Sequence, residues 1–308
     1  MPKAYVFTRY GGPETQALVE VERPVPGPRQ ILVAVRVAGV NPVDWKLRTG
    51  YRPPNDTREH ALPAVLGSEV SGVVAAVGDN VEGFAVGDEV FGNTLTGGYA
   101  EYTLLPAALA AHKPAGLSFA DAATLPVAAA TAYDGVRQLD LPSGATLLVT
   151  GAGGGVGAAA LQIARADGLR VVGVASAGKK DFVESLGAVH VPSGPGWTER
   201  AQAAAPDGID GVYDLVGGEV LTEAATLLTD RAKLITAGAP AEVVAELGGA
   251  RVTRARTSAV LEAVARLVVA GDLDPHVIQR FPLAEAGEAL RTVEDGHARG
   301  KVVIEVAA

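Results

Sequence analysis

The sequence predicts an α/β protein with two parts: a β-rich domain and a doubly wound parallel sheet. Three observations predict it. Residues 1–115 are rich in valine, glycine and proline, in short apolar runs broken by turn signals. From about residue 120, strand-like apolar runs alternate with helix-compatible stretches. The closing segment reads helix, strand, helix, strand. The boundaries expected from these textures are 1–118 for the first part of the β-rich domain, 119–256 for the parallel-sheet domain, and 257–308 for a return to the first.

In the first segment the runs are "ILVAVRVAGV", "VSGVVAAVG" and "GDEVFG", separated by "PGP", "GDN" and "GG". β-branched residues favour a pleated, half-buried surface, so a small barrel or sandwich is expected. In the second, "ATLLVTG", "LRVVGVAS", "GVYDLVG", "AKLITAG" and "ARVTRA" are apolar enough to be buried on both faces. Between them lie "AAALQIARAD", "KKDFVESLG" and "EVLTEAATLLT". Strands of that kind alternating with helices make a parallel sheet covered on both sides. The last segment offers a helix in "SAVLEAVARLVVAGDL", a strand in "HVIQRF", a helix in "LAEAGEALRTVEDG" and a strand in "KVVIEV".

Composition sets limits. A length of 308 residues is enough for two cores. A net charge of −9 argues against a nucleic-acid surface. There are no cysteines, which removes disulfides, thiolate nucleophiles and cysteine-ligated zinc. The opening "MPKAYVFTRYGG" has no apolar core of the secretory type, and a cytoplasmic location is expected. Residues 141–164 are uncharged and long enough to span a bilayer. The glycine cluster inside them points instead to a buried strand, turn and helix, so no membrane partner is expected.

That cluster is "VTGAGGGVGAAALQIA", residues 149–164. A phosphate cradle needs a buried strand, a tight turn free of Cβ atoms, and a helix whose amide end faces the anion. "ATLLVT" supplies the strand, and Gly151, Gly153, Gly154, Gly155 and Gly157 supply the turn. Residues 156–167 supply the helix, with Gly168 to end it. With "LRVVGVAS" following at βαβ spacing, the pattern predicts dinucleotide binding. An NAD site places a carboxylate about twenty residues past the glycines, on the ribose hydroxyls. Here the second strand ends at Ser176, Ala177 and Gly178, followed by Lys179 and Lys180. Two cations and no carboxylate at the tip favour NADP(H). The alternative, that both lysines decorate an exposed helix start, stays open beside Asp181.

Several stretches together resemble the zinc-independent quinone oxidoreductases, the zeta-crystallin-like branch of the medium-chain dehydrogenase/reductase superfamily. They are "GVNPVDWKLRTGY", "LPAVLGSEVSGVVAAVGDNVEGFAVGDEVFG", "GGYAEYTLLP", "AATLPVAAATAYDGV", "LLVTGAGGGVGAAALQIA" and "FPLAEAGEALRTVEDGHARGKVVIEV". The resemblance implies a GroES-like catalytic domain joined to a Rossmann domain, and a homodimer. It lines up Asn41, Ser68 and Val127 with the catalytic zinc ligands of other members, and none of the three is a usual zinc ligand. The five histidines, His60, His112, His190, His276 and His297, form no spaced pair. No metal is therefore expected. The acceptor must then be electrophilic in itself, a quinone or an α,β-unsaturated carbonyl.

The resemblance also implies site residues. Asn41, Asp44 and Thr131 border the nicotinamide and its ribose. Gly154, Gly155 and Val156 meet the pyrophosphate, and Ser176, Lys179 and Lys180 face the adenosine phosphate. Val216 and Gly238 line the nicotinamide side. Tyr51 and Trp45 are candidates for the acceptor pocket, with Tyr51 able to donate a hydrogen bond and Trp45 read in the first place as core; Asn41, Tyr51 and Thr131 form the catalytic set. Simpler readings stand beside these. Asn41 before Pro42 is also a turn residue, Asp44 is also a cap for "WKLRTG", and Thr131 is also a helix residue bonding back to its own helix. Glu69 in "GSEVSG" is read as structural or as the partner of a nearby cation. The chain departs from the family at Gly194, where a tyrosine is usual, and in a shortened "AGAPAEVVAELGGARVTRARTS".

The function expected is hydride transfer from NADPH to a quinone or enone. Two alternatives are kept: an NADPH-binding sensor or structural protein with little turnover, and an enoyl-thioester reductase. The latter would need a basic patch, for which Arg48, Arg52 and Arg58 are candidates, although a solvated loop carrying the arginines is the favoured account.

Overall fold

A computed structural model describes residues 1–52, 61–296 and 300–306. Arg58, His60 and His297 lie outside the described residues. The chain divides into two units. One comprises Met1–Val127, Arg256–Val269 and His276–Ala308; the other comprises Ala128–Ala255 and Ala270–Pro275.

The first unit is β-rich. Its main sheet is organised around the eleven-residue strand Gln30–Val40. That strand pairs antiparallel with Glu69–Val77, Tyr102–Pro106 and Lys301–Glu305. The Lys301–Glu305 strand runs parallel to Val277–Pro282, so the chain's last strands complete a sheet begun by its first hundred residues. Lys3–Phe7, Gln16–Glu20 and Ala64–Val65 form a separate three-stranded sheet. The core is aliphatic. Ile31, Val33, Val35, Val70, Val90 and Leu105 from the strands meet Leu283, Ala286, Ala289 and Leu290 from the C-terminal helical segment. The closing "KVVIEV" supplies the Lys301–Glu305 strand, and the unit has the GroES-like class expected for it.

The second unit holds the parallel sheet. Its strands are β1 (Thr146–Thr150), β2 (Arg170–Ala175), β3 (Val189–Pro192), β4 (Gly211–Asp214), β5 (Leu234–Thr236) and β6 (Ala250–Arg251). Their order is β3-β2-β1-β4-β5-β6, all parallel. Every residue of β1, β4 and β5 is buried, which explains why these stretches are apolar without alternation. Only β6 falls short of expectation: "ARVTRA" yields a two-residue strand. The chain leaves β1 toward β2 on one side of the sheet and later returns beside β1 as β4. The gap between β1 and β4 is the topological switch point, where open α/β sheets bind ligands beyond the carboxyl ends of their strands.

The glycine-rich turn follows β1 and leads into helix α1 (Gly155–Ala166). Gly151 has φ +67°, a left-handed backbone that a Cβ would strain. Gly168 has φ +82° and closes the helix, as the sequence predicts. Gly157 serves a different need: a Cβ there would come within 2.6 Å of Ala152 Cα. The helix can thus lie directly on the turn before it. Among the described residues no helix is long and apolar enough to cross a membrane.

Gly157→Ala tests this packing. Overpacking at a backbone contact costs about 1–3 kcal/mol, so the urea midpoint should fall. An unchanged midpoint would show that the turn can yield.

Candidate functional site

The expected coenzyme-binding residues gather at the carboxyl edge of the parallel sheet. Helix α1 begins after Gly154, an extended N-cap with φ −95° and ψ 172° and no side chain capping it. The first amides of any α-helix lack intrahelical acceptors and carry the positive end of its dipole. A Cβ on Gly154 would approach nothing nearer than Gly151 O at 3.5 Å, so this mouth is lined by backbone. Gly154, Gly155 and Val156 therefore present a fitting cradle for a diphosphate. Ala158, Ala159 and Ala160 are buried behind it and keep the helix close to the sheet.

The neighbouring loops add the rest. Ser176 is exposed just past β2, at the start of the short helical turn Ala177–Lys179. Lys179 folds over the glycine turn and donates from Nζ to the Gly153 carbonyl at 3.0 Å. Lys180 points outward, 3.9 Å from Glu184 one helical turn on. Val216, after β4, is 51% exposed. Gly238, after β5, stacks on the same loop: a Cβ there would lie 2.7 Å from Val216 N. Thr131 is buried in the helix Ala130–Leu139, and its carbonyl accepts the Tyr213 hydroxyl at 2.8 Å. These residues together fit a nicotinamide dinucleotide.

In the first unit Asn41, Asp44, Ser68, Glu69, Tyr99 and Lys301 form a buried polar cluster. Asn41 caps the helix Pro42–Arg48. Its amide Nδ2 donates to Glu69 Oε1 at 2.7 Å, and its Oδ1 accepts from Lys301 Nζ at 2.6 Å. Lys301 also donates to Glu69 Oε1 at 2.9 Å and to the Val40 carbonyl at 3.2 Å. The second Glu69 oxygen accepts the Val127 amide at 2.7 Å. Gly39 makes room: a Cβ there would stand 2.7 Å from Glu69 Cδ. Of the two readings of Glu69, the structure shows a buried ion pair with Lys301.

Asp44 occupies the other end of the cluster. The resemblance sets it beside the coenzyme ribose, yet in the structure its side chain is fully enclosed. The reason is local. Asp44 Oδ2 accepts the Asn41 backbone amide at 2.9 Å, capping its own helix, and the Tyr99 hydroxyl at 2.9 Å. Its Oδ1 has no hydrogen-bond partner among the described residues. The Ser68 hydroxyl stands near the carboxylate without closing a hydrogen bond to it. Burial raises the Asp44 carboxyl to about 6, against the opposing hydrogen bonds from Asn41 and Tyr99 and the nearby Ser68 hydroxyl, and with a smaller push from the Glu69 charge. Burial and Asp44 in turn hold the Tyr99 phenol well above its ordinary value.

The same cluster decides how the zinc-ligand positions would meet a metal. Asn41 offers an amide already engaged by Glu69 and Lys301, Ser68 an alcohol, and Val127 a hydrocarbon. Zinc takes thiolate, imidazole or carboxylate donors. Among the described residues no group of three such side chains is placed to hold a metal. This donor set does not suit zinc.

Tyr51 is 42% exposed, consistent with a hydroxyl open to a ligand. Trp45 is partly buried and packs against the aliphatic core. Arg48 does not join an exposed basic patch. It is buried, bonded through Nη2 to both Glu294 oxygens at 2.9 and 3.0 Å and through Nε to the Gly11 carbonyl. Lys301 and Tyr99 are the residues sequence reasoning missed. Both stand within apolar or aromatic strand-like stretches, and no spacing links them to residue 41.

The Asp44 carboxyl gives a pH dependence of defined sign. Its folded value of about 6 exceeds the ordinary 3.8, so the native state holds more protons between these values. Its ionisation then lowers stability as pH rises from about 4 to about 6, by about 3 kcal/mol in all. Urea unfolding of wild type and Asp44→Asn across pH 4–7 should show the wild type losing ground to the variant over that range. Parallel profiles would contradict the buried carboxyl's raised value.

Comparison with known proteins adds to this geometry. Residues 27–115 match the family model described as alcohol dehydrogenase GroES-like domain, and residues 186–304 the one described as zinc-binding dehydrogenase. The chain is 34% identical over 321 residues to 2-methylene-furan-3-one reductase of Solanum lycopersicum, covering 98% of this chain and 78% of the relative. It is 33% identical over 323 residues to the chloroplastic NADPH-dependent alkenal/one oxidoreductase of Arabidopsis thaliana, covering 98% and 79%. Among solved structures it is similar to the quinone oxidoreductase from Coxiella burnetii, with 30% identity, 99% of each chain covered and a TM-score of 0.90.

Proposed function

Because the chain belongs to the quinone oxidoreductase branch of the medium-chain dehydrogenase/reductase superfamily, we propose that it is an NADPH-dependent, zinc-independent reductase of quinones or α,β-unsaturated carbonyls. The observation that carries this reading is the uncapped mouth of α1, lined by glycines at the switch point of a β3-β2-β1-β4-β5-β6 sheet. The relatives are reductases of conjugated carbonyls and of quinones by name, and the enzyme is an oxidoreductase.

The bound nicotinamide supplies the hydride. The chain's own residues bind and orient. The α1 amides grip the diphosphate, and Val216 and Gly238 shape the edge on which the nicotinamide ring would rest. Ser176, Lys179 and Lys180 support the choice of NADPH, since no carboxylate stands at the tip of β2 to repel a 2′-phosphate. The Tyr51 hydroxyl is the group proposed to hydrogen-bond the acceptor oxygen as negative charge develops there. Asn41 and Asp44 are proposed to act beneath that surface: the Lys301–Glu69–Asn41 bonds hold the start of the helix Pro42–Arg48 that leads to Tyr51. Without a Lewis acid, the substrate must be activated by its own conjugation. The acidic, cysteine-free composition supports a cytoplasmic setting, and the family supports a homodimer; both belong to this proposal.

The test pairs coenzyme and acceptor. NADPH and NADH are titrated against wild type and a Lys179→Ala/Lys180→Ala double variant, followed by turnover with a panel of quinones and enones. Loss of charge-assisted hydrogen bonds should weaken NADPH by about tenfold or more and leave NADH nearly unchanged. Equal losses for both coenzymes would remove the NADPH assignment. Tight NADPH binding with no oxidation by any acceptor would favour a binding protein instead.

A further inference from the structure

The carboxyl edge of the parallel sheet contains a group that the site described above does not use. Asp214 ends β4, Thr150 ends β1 and Thr236 ends β5, and all three are fully buried. Thr150 Oγ1 donates to Asp214 Oδ1 at 2.6 Å, and Thr236 Oγ1 donates to Asp214 Oδ2 at 2.6 Å. The same carboxylate accepts the backbone amides of Val216 at 3.2 Å and Gly217 at 3.0 Å. Thr236 Oγ1, whose hydroxyl hydrogen is directed to Asp214, also accepts the Gly238 amide at 2.9 Å.

One carboxylate thus joins three adjacent strand ends across the switch point and holds the two loops that follow β4 and β5. Those loops meet backbone to backbone: a Cβ on Gly217 would lie 2.8 Å from the Gly238 carbonyl oxygen. The exposed parts, Val216 and Gly238, are the parts proposed to line the nicotinamide side. Asp214 lies beneath them and reaches no surface.

We propose that Asp214 is a positioning residue for coenzyme binding: with the Thr150 and Thr236 hydroxyls it fixes the height and spacing of the Val216 and Gly238 loops. The proposal rests on the coenzyme reading of this edge. Because it acts through the nicotinamide side, where NADPH and NADH are alike, its loss weakens both coenzymes by the same factor. That separates it from the two lysines, whose loss is expected to weaken NADPH far more than NADH.

Coenzyme dissociation constants for NADPH and NADH are measured with wild type, Asp214→Asn, Thr150→Val/Thr236→Val and Thr150→Ser/Thr236→Ser, with melting temperatures alongside. Asp214→Asn sets an amide NH2 against donors, and the valine pair removes both hydroxyls while keeping shape. Each should raise both dissociation constants by about tenfold. The serine pair keeps the hydroxyls but loses two buried methyls, so it should melt lower than wild type yet bind both coenzymes within about twofold. A merely structural role predicts the reverse link, with affinity following melting temperature across all variants, and that outcome would overturn the proposal. So would unchanged affinity in a folded valine pair, even if Asp214→Asn fails to fold. A wild type that binds neither coenzyme would overturn the underlying reading and this proposal with it.

Discussion

A carboxylate removed from water must be met by donors or it drives apart whatever encloses it. Each unit of this chain is organised around one such group. In the first, Glu69 takes the Asn41 amide, the Lys301 ammonium and the Val127 backbone, and so ties the sheet to segments far away in sequence. In the second, Asp214 takes two hydroxyls and two loop amides where three strands end. Both carboxylates have partners at both oxygens. That completeness is what makes a buried charge tolerable and gives the surrounding backbone a single arrangement.

Asp44 is the exception, and the contrast is informative. It lies near Glu69, is equally buried, and has one oxygen without a partner. Among the described residues, the Lys301 ammonium bonds to Glu69 and not to Asp44. The unfilled oxygen is therefore the place where a proton is most easily held. The two carboxyl groups differ in their supply of donors, and Asn41, which bonds to both, keeps them in place.

Much of the fold was legible because it follows from periodicity. Uniformly apolar runs between helical stretches mean strands buried on both faces, and the sheet has that form. The glycine cluster was legible because each requirement at the turn is local: positive φ at Gly151, close approach at Gly157, a helix end at Gly168. The expected strand in "ARVTRA" shrank to Ala250–Arg251, since two arginines in six residues leave little to bury at a sheet edge. The Glu69 cluster was hidden for a different reason. Asn41 lies 28 residues from Glu69 and 260 from Lys301, and no short-range pattern encodes such contacts. Arg48 misled because a sequence neighbourhood of arginines says nothing about a distant Glu294. Asp214, by contrast, could have been found: "LLVT", "VYD" and "LIT" are three apolar runs that each end on a polar residue, as strands bridged at one edge would.

The Lys301 ammonium comes from the strand that closes the first unit's sheet. On the ribosome, the polypeptide emerges with Glu69 and Asn41 long before their cation exists. The intervening parallel-sheet unit is complete by then and can fold while synthesis continues. The first-made unit is thus the last to become electrically whole. Its final consolidation waits for the end of translation, and the half-built β-rich segment is the stretch most in need of shelter from chaperones until then.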